Sequence, residues 1–203
     1  MSVRRWADFL MPDAVSMQFD WLREAVQGDR GLLAAIAQSP TARRLLNRRV
    51  QREQKIPVPQ RVKLAAHQQW LLSSPAAQIE LARRLGLEAL RSYVRTTVRA
   101  SSVAALRKQL GEEEYRRAVA EPALPVSGLD RVRFDAAVAR GDVLDHATSV
   151  GAALLETTTP SDDNFCRVRM RFVFSADCWH ARPQGLKVDR NELARRIGAP
   201  AEG

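Results

Sequence analysis

Two cysteines and two histidines in the C-terminal third of the chain are the residues best suited to metal binding. Cys166, Cys178 and His180 lie close in sequence, and His146 lies upstream. Structural zinc sites usually take paired ligands from short segments such as C-x2–4-C. Eleven residues separate the two cysteines, and no fourth ligand is defined. We therefore predict no metal site and no cofactor, and we expect Cys166 to be a small buried hydrophobic side chain.

Motifs of nucleophilic catalysis and of phosphate binding do not occur in the sequence. There is no G-x-S-x-G elbow and no cysteine in a known catalytic signature. Neither G-x-x-x-x-G-K-[ST] nor G-x-G-x-x-G is present. His67, close to Trp70, is typical of a structural histidine near an apolar face. We predict that the protein is not an enzyme, because a catalytic Cys/His pair would have to be assembled in space.

A basic stripe is the clearest candidate binding feature. Arg91, Arg95 and Arg99 are four residues apart, which places them on one side of a helix. They run beside an apolar face that consists of Leu87, Leu90, Val94 and Val98. Like charges at this spacing cost roughly a few tenths of a kcal/mol per pair. We predict that the three arginines face an acidic partner, and the alternative is a solvated helix face.

The overall charge is strongly positive and comes mainly from arginine. The net charge is +9, and only four of the 32 basic residues are lysine, which leaves 28 arginines. Arginine suits bidentate recognition of phosphates and carboxylates. The arginines are scattered, however, whereas nucleic-acid binders usually concentrate charge on one element. A GC-rich codon usage is therefore the favoured explanation of the excess.

Length and composition predict one soluble globular protein in a reducing compartment. A chain of 203 residues can bury roughly 70% of its unfolded surface, and 45% of its residues are apolar. The N-terminal residues lack the apolar core of a signal peptide. The longest uncharged stretch, Leu64 to Ile79, contains several polar residues and Pro75, so we expect no membrane span. Two cysteines make no disulfide framework, and a cytoplasmic location is expected.

Sequence signals for the starts and ends of helices are most frequent between Ala76 and Ala120, where the spacing predicts four short helices. Gly86 is expected to end the first of them and Gly111 the third, since glycine supplies the left-handed conformation at helix ends. Ser101 and Ser102 are expected to cap the third helix. Glu112 and the two glutamates after it suit the positive start of the fourth.

The rest of the chain is also expected to be helical, with breaks at 56–59 and 121–128. Further helices are predicted after Pro12 and over 32–38, 39–52, 61–73, 129–139, 143–156 and 188–197. Residues 165–174 fit either a strand or one helical face, and helix is preferred because no partner strand is evident. The prediction is a compact all-α, multi-helix globular protein with at most a minor β element near 165–175. It forms a single domain over 1–203 or two lobes divided at 121–128.

Two leucine-rich segments connect this pattern to a known family. They are I-E-L-A-R-R-L-G-L-E-A-L-R-S-Y-V-R, from Ile79 to Arg95, and L-R-K-Q-L-G-E-E-E-Y-R-R-A-V, from Leu106 to Val119. Their order resembles that of the SctK/YscK family of type III secretion sorting-platform proteins, which includes the Hrp homologues of plant pathogens. The segments from Phe9 to Ala14 and from Phe165 to Phe174 are similar to the terminal segments of that family.

The resemblance implies a non-enzymatic cytoplasmic adaptor of a bacterial type III secretion system, a machine of protein transport and virulence. Such an adaptor links pods of the SctQ-type protein to the cytoplasmic domain of the SctD-type ring protein at the inner membrane. The SctL-type stator and the secretion ATPase belong to the same assembly. Two rival hypotheses remain from the residues alone, a helical nucleic-acid-binding regulator and an enzyme with a spatially assembled Cys/His site.

Overall fold

The computed structural model describes residues 19–23, 26–53, 55, 64–159 and 164–198, and 75% of them are helical. The only strands among these residues are two segments of two residues each, so the all-α prediction is confirmed. No helix in the described part of the chain is long and apolar enough to cross a membrane. The expectations for Phe9 to Ala14, for a helix starting at Pro12 and for a break at 56–59 lie outside the described residues.

Eleven α-helices and one 3-10 helix follow one another in the described ranges. The α-helices before residue 100 are α1 Phe19–Leu22, α2 Arg30–Gln38, α3 Pro40–Glu53 and α4 Pro75–Arg95, and the 3-10 helix Ala66–Leu72 precedes α4. After residue 100 come α5 Ala100–Leu110, α6 Glu112–Ala120, α7 Arg131–Arg140, α8 Val143–Thr158, α9 Asn164–Arg171, α10 Ala176–Ala181 and α11 Arg190–Gly198. The strands are β1 Val126–Ser127 and β2 Lys187–Val188.

The chain divides into two compact units. The first comprises Met1–Gln78 and Thr159–Asp177, and the second comprises Ile79–Thr158 and Cys178–Gly203. The boundary that the sequence suggested at 121–128 lies inside the second unit. This segment is anchored there because Leu124 is buried and its amide donates a hydrogen bond to the carbonyl oxygen of Glu88, at 3.0 Å. Its prolines therefore mark an internal loop.

The first unit has a core built on one face of α3. Leu46 and Val50, one helical turn apart, are buried with Leu22, Val26 and Phe172. The helix before it begins at Asp29, whose carboxylate accepts hydrogen bonds from the second and third amides of the turn, as an N-cap does. Only Ser39 separates α2 from α3, and the face of α3 that points away from this core is exposed.

The second unit is organised around a close crossing of α4 and α8. A Cβ atom at Gly86 would overlap the carbonyl oxygen of Ala147, and a Cβ atom at Gly151 would overlap that of Ala82. The prediction that Gly86 ends a helix is therefore wrong, since α4 runs through it without a break. A mid-helix glycine costs about 1 kcal/mol in backbone entropy, and the close backbone contact offsets that cost.

The other helix ends follow local signals more closely. Gly111 ends α5, as predicted, but its φ of 81° and ψ of 157° lie outside the left-handed helical region, whereas Gly141 is left-handed between α7 and α8. The predicted serine cap of α5 is wrong, because that helix starts at Ala100 with Arg99 in the cap position and no side-chain cap bond. Asp130 caps α7 by accepting hydrogen bonds from two amides of its first turn.

The small β element is not at 165–175. Residues 164–171 form α9, which buries Cys166 and Met170, one turn apart, so the preference for helix there is confirmed. The strands form an antiparallel ribbon that pairs Val126 with Val188 and Ser127 with Lys187. The ribbon needed a partner 60 residues away in sequence, which no local pattern reveals.

The last helix, α11, is fastened to α4 by a buried ion pair. Arg196 donates to the carboxylate of Glu88 at 3.3 Å, and Glu88 is only 6% exposed. Arg84 donates to the carbonyl oxygen of Arg196 at 3.0 Å, and Leu193 is fully buried. The predicted helix over 188–197 therefore exists, but it begins after β2, at Arg190.

Candidate functional site

The three arginines predicted to form one stripe do not share a helix face. Arg91 is buried, with 4% of its surface exposed. Its guanidinium lies 2.6 Å from the Glu121 carboxylate and donates to the carbonyl oxygen of Pro122 at 3.2 Å. Arg95 is the last residue of α4 and is exposed, and Arg99 is exposed in the connection to α5. The prediction that Arg91 faces a partner is therefore wrong, whereas the other two remain at the surface.

Arg99 lies outside the predicted stripe because α4 ends at Arg95. Past that point the hydroxyl groups of Thr96 and Thr97 turn back and donate to the carbonyl oxygens of Ser92 and Tyr93, at 2.9 and 2.8 Å. The amide of Thr97 donates to the carbonyl oxygen of Val94, at 3.2 Å, so its hydroxyl takes the place at Tyr93 that this amide would have in a continuing helix. The same end leaves Val98, expected on the apolar face, 90% exposed.

Arg131 holds the end of α4 against the start of α7. Its guanidinium donates to the carbonyl oxygen of Tyr93 and to the hydroxyls of Thr96 and Thr97, at 3.2, 2.8 and 3.0 Å. A cation is favoured there by the partial negative charge at a helix C-terminus. It also lies over the rings of Tyr93 and Phe134, at 5.3 and 5.5 Å.

This junction carries two exposed valines, Val98 beside Arg99 and Val132 between the ion-paired Arg131 and Arg133. Val98 follows Thr97, and Val132, 77% exposed, follows Arg131. Because Thr97 and Arg131 are hydrogen-bonded, the backbone segments that carry the two valines are neighbours. We call Arg95, Val98, Arg99 and Val132 the valine patch. Apolar side chains beside arginines are typical of the centre and rim of a protein–protein interface.

The cysteines and histidines considered for metal binding occupy separate settings. Cys166 is buried in α9 and belongs to the first unit, as expected for a small hydrophobic side chain. Cys178, in the second unit, accepts a hydrogen bond from the Ser149 hydroxyl at 3.4 Å, and burial raises the pKa of its thiol. Among the described residues, no three His, Cys, Asp or Glu side chains come together as a ligand set.

His146 should make stability depend on pH. It is half-buried in α8, and burial is the main cause that lowers its pKa, with Arg133 and Arg140 acting in the same direction and Asp142 and Asp130 opposing. A lowered pKa means that the folded state binds fewer protons than the unfolded state. The free energy of unfolding should therefore fall as the pH drops from 7 through the ordinary histidine range.

The measurement is urea unfolding at a series of pH values between 5 and 8, with about 0.5-unit steps. His146→Gln should make the profile flatter than that of the wild type. His180→Gln, at an exposed position, is the matched control. A wild-type profile without a decline towards low pH, or one that His146→Gln leaves unchanged, would contradict the prediction.

Comparisons with protein-family models, curated proteins and solved structures find no significant match for this chain.

Proposed function

We propose that this protein is a non-enzymatic adaptor of a bacterial type III secretion system, and that the valine patch is one of its docking surfaces. In this role it joins the SctQ-type pods to the cytoplasmic domain of the SctD-type ring protein, at the cytoplasmic face of the inner membrane. The SctL-type stator and the ATPase are indirect partners. The resemblance of the segments from Ile79 to Arg95 and from Leu106 to Val119 suggests the assembly.

The observation that carries the docking proposal is the exposure of Val98 and Val132 at an ordered junction. Exposed valines are common singly, but these two lie at a site that Arg131 makes rigid through three hydrogen bonds. A rigid site loses little conformational entropy when a partner binds. Arg95 and Arg99 add charge at the rim, which favours an acidic partner and speeds association.

The test is co-purification of the tagged full chain with the SctQ-type and SctD-type proteins of the same bacterium. We expect at least one of the two to co-purify, and we expect Arg95→Glu with Val98→Asp to weaken that binding by about tenfold or more. Both residues are exposed, so the helical content and the melting temperature should stay near those of the wild type.

The matched control repeats the same chemistry on α6. Arg116→Glu with Val119→Asp has the same spacing and the same charge change at exposed positions. Failure of both secretion proteins to co-purify would contradict the proposed function. Equal loss of binding in the two double variants, or no loss in the first, would contradict the assignment of the valine patch.

A further inference from the structure

The first unit carries a second charged surface, on the exposed face of α3. Five side chains of this helix are exposed and recur three or four residues apart, namely Arg44, Leu45, Arg48, Arg49 and Arg52. The opposite face buries Leu46 and Val50 in the core of the unit, which fixes the orientation of the helix. Leu45 is 62% exposed, within reach of Arg48 and Arg49 on the helix surface. We call these five residues the arginine face.

Among the residues that the structure describes, few carboxylates compensate the positive charge of the arginine face. Arg49 is paired with Glu53 at 2.7 Å. In the part of the chain that the structure describes, no carboxylate lies within salt-bridge distance of Arg44, Arg48 or Arg52. These three repeat every four residues, and like charges at this spacing repel one another weakly. They form a row about 12 Å long, given the 1.5 Å rise of an α-helix.

We propose that the arginine face docks an acidic amphipathic helix of a partner protein. Glutamates that repeat every four residues on such a helix match the spacing of the three arginines, and guanidinium groups bind carboxylates through paired hydrogen bonds. A leucine of the partner, on the same helix face, packs on Leu45. The proposal depends on α3 alone and does not require the secretion-system assignment.

Leu45 favours a protein over a nucleic acid at this site. A phosphate backbone would use the arginines and gain nothing from an aliphatic side chain among them. A helical partner uses both, because its apolar face must be covered while its carboxylates stay paired at the rim. An effect of Leu45 on binding is therefore the property that separates the two classes of partner.

The experiment measures binding of the full chain to three fluorescent probes by anisotropy at fixed salt. The first probe is a designed helical peptide with glutamate every fourth residue and a leucine stripe. The second has the same composition in scrambled order, and the third is a double-stranded DNA of random sequence. We expect the helical peptide to bind at least about tenfold more tightly than the scrambled one.

Arg44→Glu, Arg48→Glu and Arg52→Glu together should weaken peptide binding by about tenfold or more. Reversing Arg116, Arg140 and Arg190, three exposed arginines on α6, α7 and α11, gives the same net charge and should have a much smaller effect. Leu45→Ser should weaken binding of the helical peptide and leave DNA binding unchanged. The triple Arg→Gln variant repeats the test with a smaller perturbation, and circular dichroism checks that each variant stays folded.

Three results would overturn the proposal. They are equal binding of the ordered and scrambled peptides, peptide binding that survives the loss of the three arginines, and DNA binding that depends on the arginines and exceeds peptide binding. The last result would identify the arginine face as a nucleic-acid surface. None of these results affects the co-purification test, which concerns the valine patch of the second unit. The proposal for the arginine face and the proposed function can therefore be contradicted independently.

Discussion

Gly86→Ala is expected to lower the free energy of unfolding by about 3 kcal/mol, and Gly151→Ala by a similar amount. Each new methyl group would overlap a backbone carbonyl oxygen of the facing helix, that of Ala147 or of Ala82. Backbone atoms cannot move aside by a change of rotamer, so α4 and α8 must separate and lose packing along the crossing. The measurement is urea unfolding of each variant, followed by far-ultraviolet circular dichroism.

The magnitude is informative because intrinsic helix propensity works in the opposite direction. Alanine in place of a mid-helix glycine should by itself stabilise the helix by about 1 kcal/mol. Gly198→Ala, in α11, is the control, since nothing lies within 4 Å of the added atom. It should leave stability unchanged or slightly raised. Wild-type stability of both Gly86→Ala and Gly151→Ala would contradict the close crossing.

The double variant tests whether the two glycines act at one contact. Once the first methyl group has separated α4 from α8, the second meets a gap that is already wider. The double variant should therefore lose less stability than the two single variants together, as neighbouring sites in one packed contact do. Strict additivity would mean that each glycine contacts the facing helix independently.

The crossing also shows which part of the fold the sequence predicts. Gly111 and Gly141 end helices with a positive φ, and a Cβ atom added at either would meet nothing within 4 Å, so a local signal is sufficient there. Gly86 has the same residue type and a similar local context. Its role depends on Ala147, which is 61 residues further along the chain, and such a contact leaves no local trace.

The candidate sites show the same difference between local sequence signals and contacts with distant parts of the chain. A search for arginines four residues apart selects Arg91, Arg95 and Arg99, and it would equally have selected the row on α3. Spacing alone does not tell a buried arginine from an exposed one, because burial of Arg91 depends on Glu121 and Pro122 in a later loop. Nor does spacing show that α4 ends before residue 99, since Arg131 helps to fix that end.

Arg91→Glu is expected to lower the free energy of unfolding by about 4 kcal/mol. The arginine is almost fully buried and binds both the Glu121 carboxylate and the carbonyl oxygen of Pro122. A glutamate there would bury a negative charge against two acceptors and leave no donor for either of them. The loop from 121 to 124 should detach from α4, which would appear as a lower urea midpoint and a reduced melting temperature.

Arg95→Glu makes the same substitution one helical turn further along α4, where the side chain is exposed. Its effect on stability should stay within about 1 kcal/mol, mainly from the loss of a favourable cation at the helix C-terminus. Arg91→Met removes the positive charge without adding a negative one. The Glu121 carboxylate, which is 42% exposed, can be hydrated when its partner is lost. That variant should cost about 1–2 kcal/mol, mainly for the unpaired Pro122 carbonyl. Equal stability of Arg91→Glu and Arg95→Glu would contradict the burial of Arg91 against Glu121 and Pro122.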